Sequence, residues 1–181
     1  SQEWQDEAEK RKLPNLKTSA EALKLIVDEE VNLFLTKPGI YSTEELTMRY
    51  NVRVERYCKH RHIEFRTLVN MIHKDILPAT IEYKGMLANS IDDQKEVGVD
   101  PKADIHILKL LNDRTNSLYE KTERLKTALG AMGEEIGDVE KIVSEWLPLS
   151  EEMANDIAYL EEHVAEDVWG LPTYYDLLFA K

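Results

Sequence analysis

The sequence predicts an all-α fold: an elongated helical bundle built on a long antiparallel helical hairpin, with shorter flanking helices. Three observations carry this expectation. Apolar residues recur in steps of three and four from Ile105 to Trp146, through Leu108, Leu111, Leu118, Leu125, Leu129, Met132, Ile136, Val139 and Val143, with Thr115 and Thr122 as polar interruptions. That period keeps them on one helical face. A second segment with helical periodicity runs from about Thr43 to Ile91, and no apolar–polar alternation is long enough to require a sheet.

The elements follow in order. Residues before Pro14 are mostly charged and suit a short helix that Pro14 interrupts. Thr18 and Glu21 have capping-box spacing, and Leu23, Ile26, Val27, Val31 and Phe34 follow on a helical face that Pro38 and Gly39 close. Ser42 and Glu45 form a second capping box, opening the outgoing arm with Leu46, Tyr50, Tyr57, Phe65, Leu68, Ile72 and Ile76 on its apolar side. Pro78 lacks an N–H and clashes one turn back, so a kink is expected between Lys74 and Pro78, and the pattern resumes at Ile81, Met86, Leu87 and Ile91. The stretch from Asp92 to Val99 reads as the turn. Asp100 then suits an N-cap and Pro101 a first helical position.

The return arm passes Gly130, Gly133 and Gly137 without losing phase, so one continuous, glycine-weakened helix is expected up to Pro148. Ser150, with Glu151 and Glu152, reads as the cap of a further helix striped by Met153, Ile157, Leu160, Val164 and Val168. Gly170 and Pro172 end it, before an aromatic tail. The expected organisation is one helical domain over 1–181, with the hairpin at 43–147 and the C-terminal helix and tail at 151–179.

The chain has 181 residues, with 23 basic and 35 acidic side chains and a net charge of -12. That balance disfavours nonspecific attraction to nucleic acid or an anionic membrane, leaving local contacts around Lys59, Arg61 and Arg66. Cys58 is the single cysteine, so no internal disulfide framework exists. No apolar run reaches the ~18 residues of a membrane span, and no secretory leader is evident. A cytoplasmic protein is expected. The first residue is Ser1 rather than Met, which fits either processing or a fragment of something larger.

The segment Cys58-Lys59-His60-Arg61-His62 invites a search for chemistry. Glu55, Cys58 and His62 have helical spacing for a three-ligand metal set, but Arg53, Arg56, Lys59 and Arg61 oppose a cation, and no HExxH or paired-cysteine motif is present. Cys58 and His62 could pair as nucleophile and base, yet no acyl-transfer motif surrounds them. Helix packing is the expected role. Glu64 lies one turn after His60, a common surface pair. His73 sits about three turns beyond His62, and His106 and His163 lack diagnostic neighbours. The glycines from Gly130 to Gly137 make no phosphate loop, because no GKS or GKT follows; close helix approach or local flexibility is expected. No catalytic, cofactor or metal residue is assigned. Trp169, Leu171, Tyr174, Leu178 and Phe179 concentrate large apolar groups at a chain end, the expected place for an interface unless the tail docks back on the bundle.

The stretch Leu13-Pro14-Asn15-Leu16-Lys17-Thr18 resembles the approach to the C-terminal helical region of type III glutamine synthetases. Glu55-Arg56-Tyr57-Cys58-Lys59 with Ile63-Glu64, then Asp75-Ile76-Leu77-Pro78-Ala79, and the closing Leu171-Pro172-Thr173-Tyr174-Tyr175-Asp176-Leu177-Leu178-Phe179 are similar to that family in the same order. The resemblance implies a parent ligase that joins glutamate and ammonia with ATP through gamma-glutamyl phosphate. Mg2+ or Mn2+ would neutralise carboxylate and phosphate charge in it. It also implies stacked hexameric rings, with the ATP, glutamate and metal ligands upstream of the matched region. This chain would then be a non-catalytic segment packed on the catalytic portion and neighbouring subunits, needing no cofactor of its own and pairing as a homodimer when isolated. The alternatives are a free-standing helical adaptor and, further off, a small Cys-His enzyme.

Overall fold

The structure, a computed structural model, describes residues 2–172 and 174–179. Every regular element among them is helical, and no strand is present. The α-helices are Gln2–Lys10 (α1), Ser19–Lys24 (α2), Glu29–Thr36 (α3), Thr43–Met71 (α4), Leu77–Glu96 (α5), Lys102–Gly130 (α6), Ile136–Lys141 (α7), Leu147–His163 (α8) and Tyr174–Phe179 (α9). A 3-10 turn covers Leu25–Val27, and π turns cover Ile72–Ile76 and Ile142–Trp146. The chain divides into two compact units, Ser1–Arg61 with Met132–Trp146, and His62–Ala131 with Leu147–Lys181.

In the first unit both sequence-read capping boxes form. Glu21 N donates to Thr18 Oγ1 at 3.2 Å while the Glu21 carboxylate accepts from Thr18 N; Ser42 and Glu45 repeat the arrangement at the start of α4. The single helix expected between Thr18 and Pro38 is instead two. Asp28 takes an extended conformation and recaps α3, its carboxylate accepting from Val31 N at 2.9 Å. The buried Asn32 amide then donates to the carbonyls of Leu25 at 2.8 Å, Ile26 at 3.1 Å and Asp28 at 2.7 Å, tying α3 to the 3-10 turn and adding to the backbone bonds that Leu25 O and Asp28 O accept from Asp28 N and Asn32 N. Val31 and Phe34, expected on one helical face with Leu23 and Ile26, are exposed, Phe34 at 69%. Gly39 closes α3 with φ 76, a conformation that a Cβ would strain. Leu46, Val54, Cys58, Val139 and Ile142 form the core of this unit.

In the second unit α5 and α6 form the antiparallel pair and α8 packs on α6. The register is visible in three side-chain pairs that close toward the turn: His73 with Glu123, Lys84 with Asn112, and Gln94 with Asp104. Gly98, with φ 79, ends the outgoing arm. Asp100 does not cap α6; Pro101 occupies the cap position without a side-chain bond. Leu111, Leu118, Leu125, Met153 and Leu160 are fully buried. Thr115 and Thr122 lie in the same seam because their hydroxyls donate to Leu111 O and Leu118 O one turn back, leaving only their methyls to pack.

Two expectations about the return arm are overturned. The continuous helix breaks after Gly130, and a new helix begins only at Ile136, where Asp138 accepts from Glu135 N at 3.0 Å. The apolar spacing runs on through Met132 and Ile136, which are only half-buried, so periodicity alone concealed the break. Pro148 does not end a helix, either. It lies at the start of α8, directly after the π turn Ile142–Trp146, and Ser150 sits inside α8 with its hydroxyl on Leu147 O. The expected kink before Pro78 likewise takes the form of a π turn, in which Leu77 N donates to Ile72 O. The wider turn removes the need for the missing proline N–H. The two sites share a pattern, Ile-x-x-acid-(Ile/Trp)-Leu-Pro-x-(Thr/Ser). Finally, α8 ends at His163, short of Gly170.

Candidate functional site

The sequence-named candidates scatter. Cys58 is 1% exposed, and its thiol faces Glu135 O at 3.9 Å. Burial, reinforced by Asp138 and Glu134, pushes its pKa up to about 11, so the thiol stays protonated. Glu55 pairs with Lys59, and His62 is exposed; these residues do not fit a metal. Among the described residues no group of three or more His, Cys, Asp and Glu could hold an ion. His73 Nε2 lies 3.2 Å from Glu123 Oε1 without hydrogen-bond alignment, a charge contact open only to the protonated ring. His106 is exposed, and His163 stacks on Tyr159 with centroids 4.0 Å apart. Of the loop glycines, only Gly133 meets a close neighbour: a Cβ there would approach Asp138 Oδ2 to 2.6 Å. The close approach belongs to the α7 cap rather than to a packed helix.

Of the apolar candidates, Trp169 is buried at 8% exposure and Leu171 is half-buried, whereas Leu178 and Phe179 are 74% and 64% exposed. The Tyr174 side chain lies outside the described residues.

The densest polar constellation was missed in the sequence. Asp156 occupies a core position of α8 between Met153 and Leu160 and is 1% exposed. Three α6 side chains converge on it: Arg114 Nη1 at 2.9 Å, Ser117 Oγ at 2.9 Å and Lys121 Nζ at 2.8 Å. Lys121 also reaches Glu152 at 3.4 Å, and the Arg114 guanidinium lies 5.0 Å from the Tyr159 ring centroid. Burial raises the Asp156 pKa, but Lys121, Arg114 and Ser117 outweigh it and hold the carboxyl below its usual range. A carboxylate so neutralised is unsuited to proton transfer or cation binding; it clamps α8 to α6. The only sequence signal was a lone aspartate within an apolar stripe.

A different kind of site lies in the first unit. An open groove is lined by α2, the 3-10 turn, α3 and one face of α4. Leu23, Ile26 and Leu35 supply apolar surface, while Arg49, Arg53, Arg56 and His60 follow the α4 side at helical spacing. Such a site has the anatomy of a polypeptide interface, apolar within and charged at the rim.

A model described as the glutamine synthetase C-terminal domain matches residues 1–95. A glutamine synthetase from Butyrivibrio fibrisolvens is 30% identical over 188 residues, covering 98% of this chain and 26% of the relative. A glutamine synthetase from Bacteroides fragilis (strain YCH46) is 25% identical over 195 residues, and the type-3 glutamine synthetase of Dictyostelium discoideum 24% identical over 192; each covers 100% of this chain and 26% of the relative. The chain spans about a quarter of the length of these curated relatives.

Proposed function

Because the chain belongs to the glutamine synthetase C-terminal domain family, we propose that it is the C-terminal structural segment of a type III glutamine synthetase, supporting the oligomer rather than the chemistry. The observation that carries this reading is the asymmetry of coverage: similarity extends across 98% or more of the chain but only 26% of each relative. The enzyme it serves would make glutamine from glutamate, ammonia and ATP through gamma-glutamyl phosphate, with ATP and Mg2+ or Mn2+ held by the remainder.

The chain's own chemistry supports a packing role. Cys58 is protonated and buried, and Asp156 is consumed by Arg114, Ser117 and Lys121. Leu177, Leu178 and Phe179 meanwhile present apolar surface at 67%, 74% and 64% exposure, which suits contact with a catalytic body or a neighbouring subunit. In its absence the same surface favours a homodimer.

The test compares the isolated chain with a longer protein that carries the upstream coding region in frame. The longer protein should form a multi-subunit particle by light scattering and release phosphate dependent on glutamate, ammonia and ATP. The isolated chain should release none. Leu178→Glu with Phe179→Glu should shift the particle toward smaller species. Turnover by the isolated chain, with contaminants excluded, would refute the proposal, as would an unaltered particle after removal of residues 13–179.

A further inference from the structure

We infer that the groove lined by α2, α3 and α4 receives an acidic amphipathic helix from a partner polypeptide. The inference deepens the assembly reading and rests on it: the occupant is part of the protein surface against which this segment is held.

Apolar area is left unburied in a concave place. Met48 and Val52 line the groove at 68% and 62% exposure. Two large aliphatic side chains left in water beside Leu23, Ile26 and Leu35 gain from an apolar cover. Charge points the same way. The chain is acidic overall, yet from Arg49 to Arg61 α4 carries Arg49, Arg53, Arg56, Lys59 and Arg61 against Glu55 alone. Glu55 is taken by Lys59, and Arg49 lies over the Tyr41 ring at 4.6 Å. Arg53 and Arg56 have no ion pair, hydrogen bond or ring contact among the described residues. Two uncommitted guanidiniums bordering an apolar groove call for carboxylates on an apolar body.

The spacing favours a helical occupant. Met48 and Val52 are one turn apart, as are Arg49 and Arg53, and Arg56 continues the basic row. A helix laid along α4 would repeat apolar and acidic groups at the same three- and four-residue steps. A nucleic acid fits less well. The net charge of -12 repels a polyanion at long range. Tyr57, the groove's tyrosine, is covered by the Arg61 guanidinium at 5.3 Å rather than open for a base to stack.

Fluorescence anisotropy on the full 181-residue chain would test this with a labelled peptide of about 18 residues, leucine on one helical face and glutamate on its flanks. The same peptide with lysine for glutamate, and a labelled single-stranded oligonucleotide, serve as comparisons. The glutamate peptide should bind at least about tenfold more tightly than the lysine peptide, with the difference shrinking in salt. Arg53→Glu with Arg56→Glu should reverse that preference while leaving the circular dichroism spectrum unchanged. Equal binding of both peptides, binding of neither, or preference for the oligonucleotide would overturn the inference. If the glutamate peptide fails while removal of this segment still disrupts the longer protein's particle, the groove is wrong and the assembly reading stands. If the glutamate peptide binds selectively while removal of the segment leaves the particle intact, the groove stands and the assembly reading is wrong.

Discussion

Arg114 and Asp156 are joined at 2.9 Å, one a half-exposed cation on α6 and the other a carboxylate with 1% exposure on α8. The asymmetry decides which partner matters more for stability. Asp156→Ala removes three hydrogen bonds at once, from Arg114, Ser117 and Lys121, and should destabilise the chain by about 3 kcal/mol. Arg114→Ala removes one half-exposed partner and leaves Asp156 with Ser117 and Lys121, so it should cost about 1 kcal/mol. Urea unfolding of both variants measures the difference, and equal losses would contradict the clamp.

The same pair governs acid sensitivity. The native Asp156 carboxyl titrates below its ordinary value of 3.8, so on acidification the unfolded chain takes up that proton first. Its stabilisation is complete above the ordinary value and is lost as pH falls through the lowered native one. The acid limb of a stability–pH curve should therefore flatten in Asp156→Asn relative to the parent.

Cys58 makes the opposite prediction. Its native pKa is raised from 9.0 to about 11, so the unfolded chain loses the proton first as pH rises. The stabilisation is present below 9.0 and is lost as pH climbs through about 11. A thiol reagent should react slowly at pH 8 with the folded chain and rapidly after denaturation. Fast labelling of folded protein would show that the thiol is not enclosed.

Pro78 and the π turn should be interdependent. Deleting the exposed Lys74 from Ile72–Ile76 would return the segment to α-helical spacing and place the proline ring against a carbonyl one turn back, a loss of about 3 kcal/mol. Combining the deletion with Pro78→Ala should recover most of that loss, because the clash and the missing donor vanish together. Chemical denaturation of the two variants measures the recovery; failure of the second substitution to restore stability would mean that the π turn serves packing alone.

Asn32 offers a fifth check. Its amide donates to Leu25 O, Ile26 O and Asp28 O, and because Leu25 O and Asp28 O keep backbone bonds from Asp28 N and Asn32 N, Asn32→Ala should cost about 1 kcal/mol. Asn32→Asp should be worse than alanine, since a carboxylate would face the same carbonyls with no hydrogen to give. Unfolding curves in which aspartate outperforms alanine would refute this account.

The helical class, both capping boxes, the Thr43 start of α4 and the Gly39 stop were legible in the sequence because each depends on groups three to five residues apart. Thr115 and Thr122 read only as polar interruptions of the seam; the structure shows them buried, with their hydroxyls on the carbonyls one turn back. The polar cluster was not legible. Arg114, Ser117 and Lys121 advertise only an ordinary polar face of α6, and Asp156 becomes their partner only when α8 is laid alongside.

Periodicity marked Leu111, Leu118, Leu125 and Val139 as buried but named Val143, which is half-buried, where Ile142 is the buried residue, and the tertiary structure decided what backbone carries them. Leu111, Leu118 and Leu125 belong to one helix, while Val139 and Ile142 stand beyond a break that burial alone could not reveal. Pro148 shows the same division. By itself it removes one donor and obstructs one carbonyl, which is a reason to stop a helix. Packing of Ile142 and Trp146 stabilises a wider turn that accommodates the ring and lets the chain continue into α8. Local hydrogen bonding is written into neighbouring residues; the energy that selects a π turn over a helix end comes from side chains brought together by the fold.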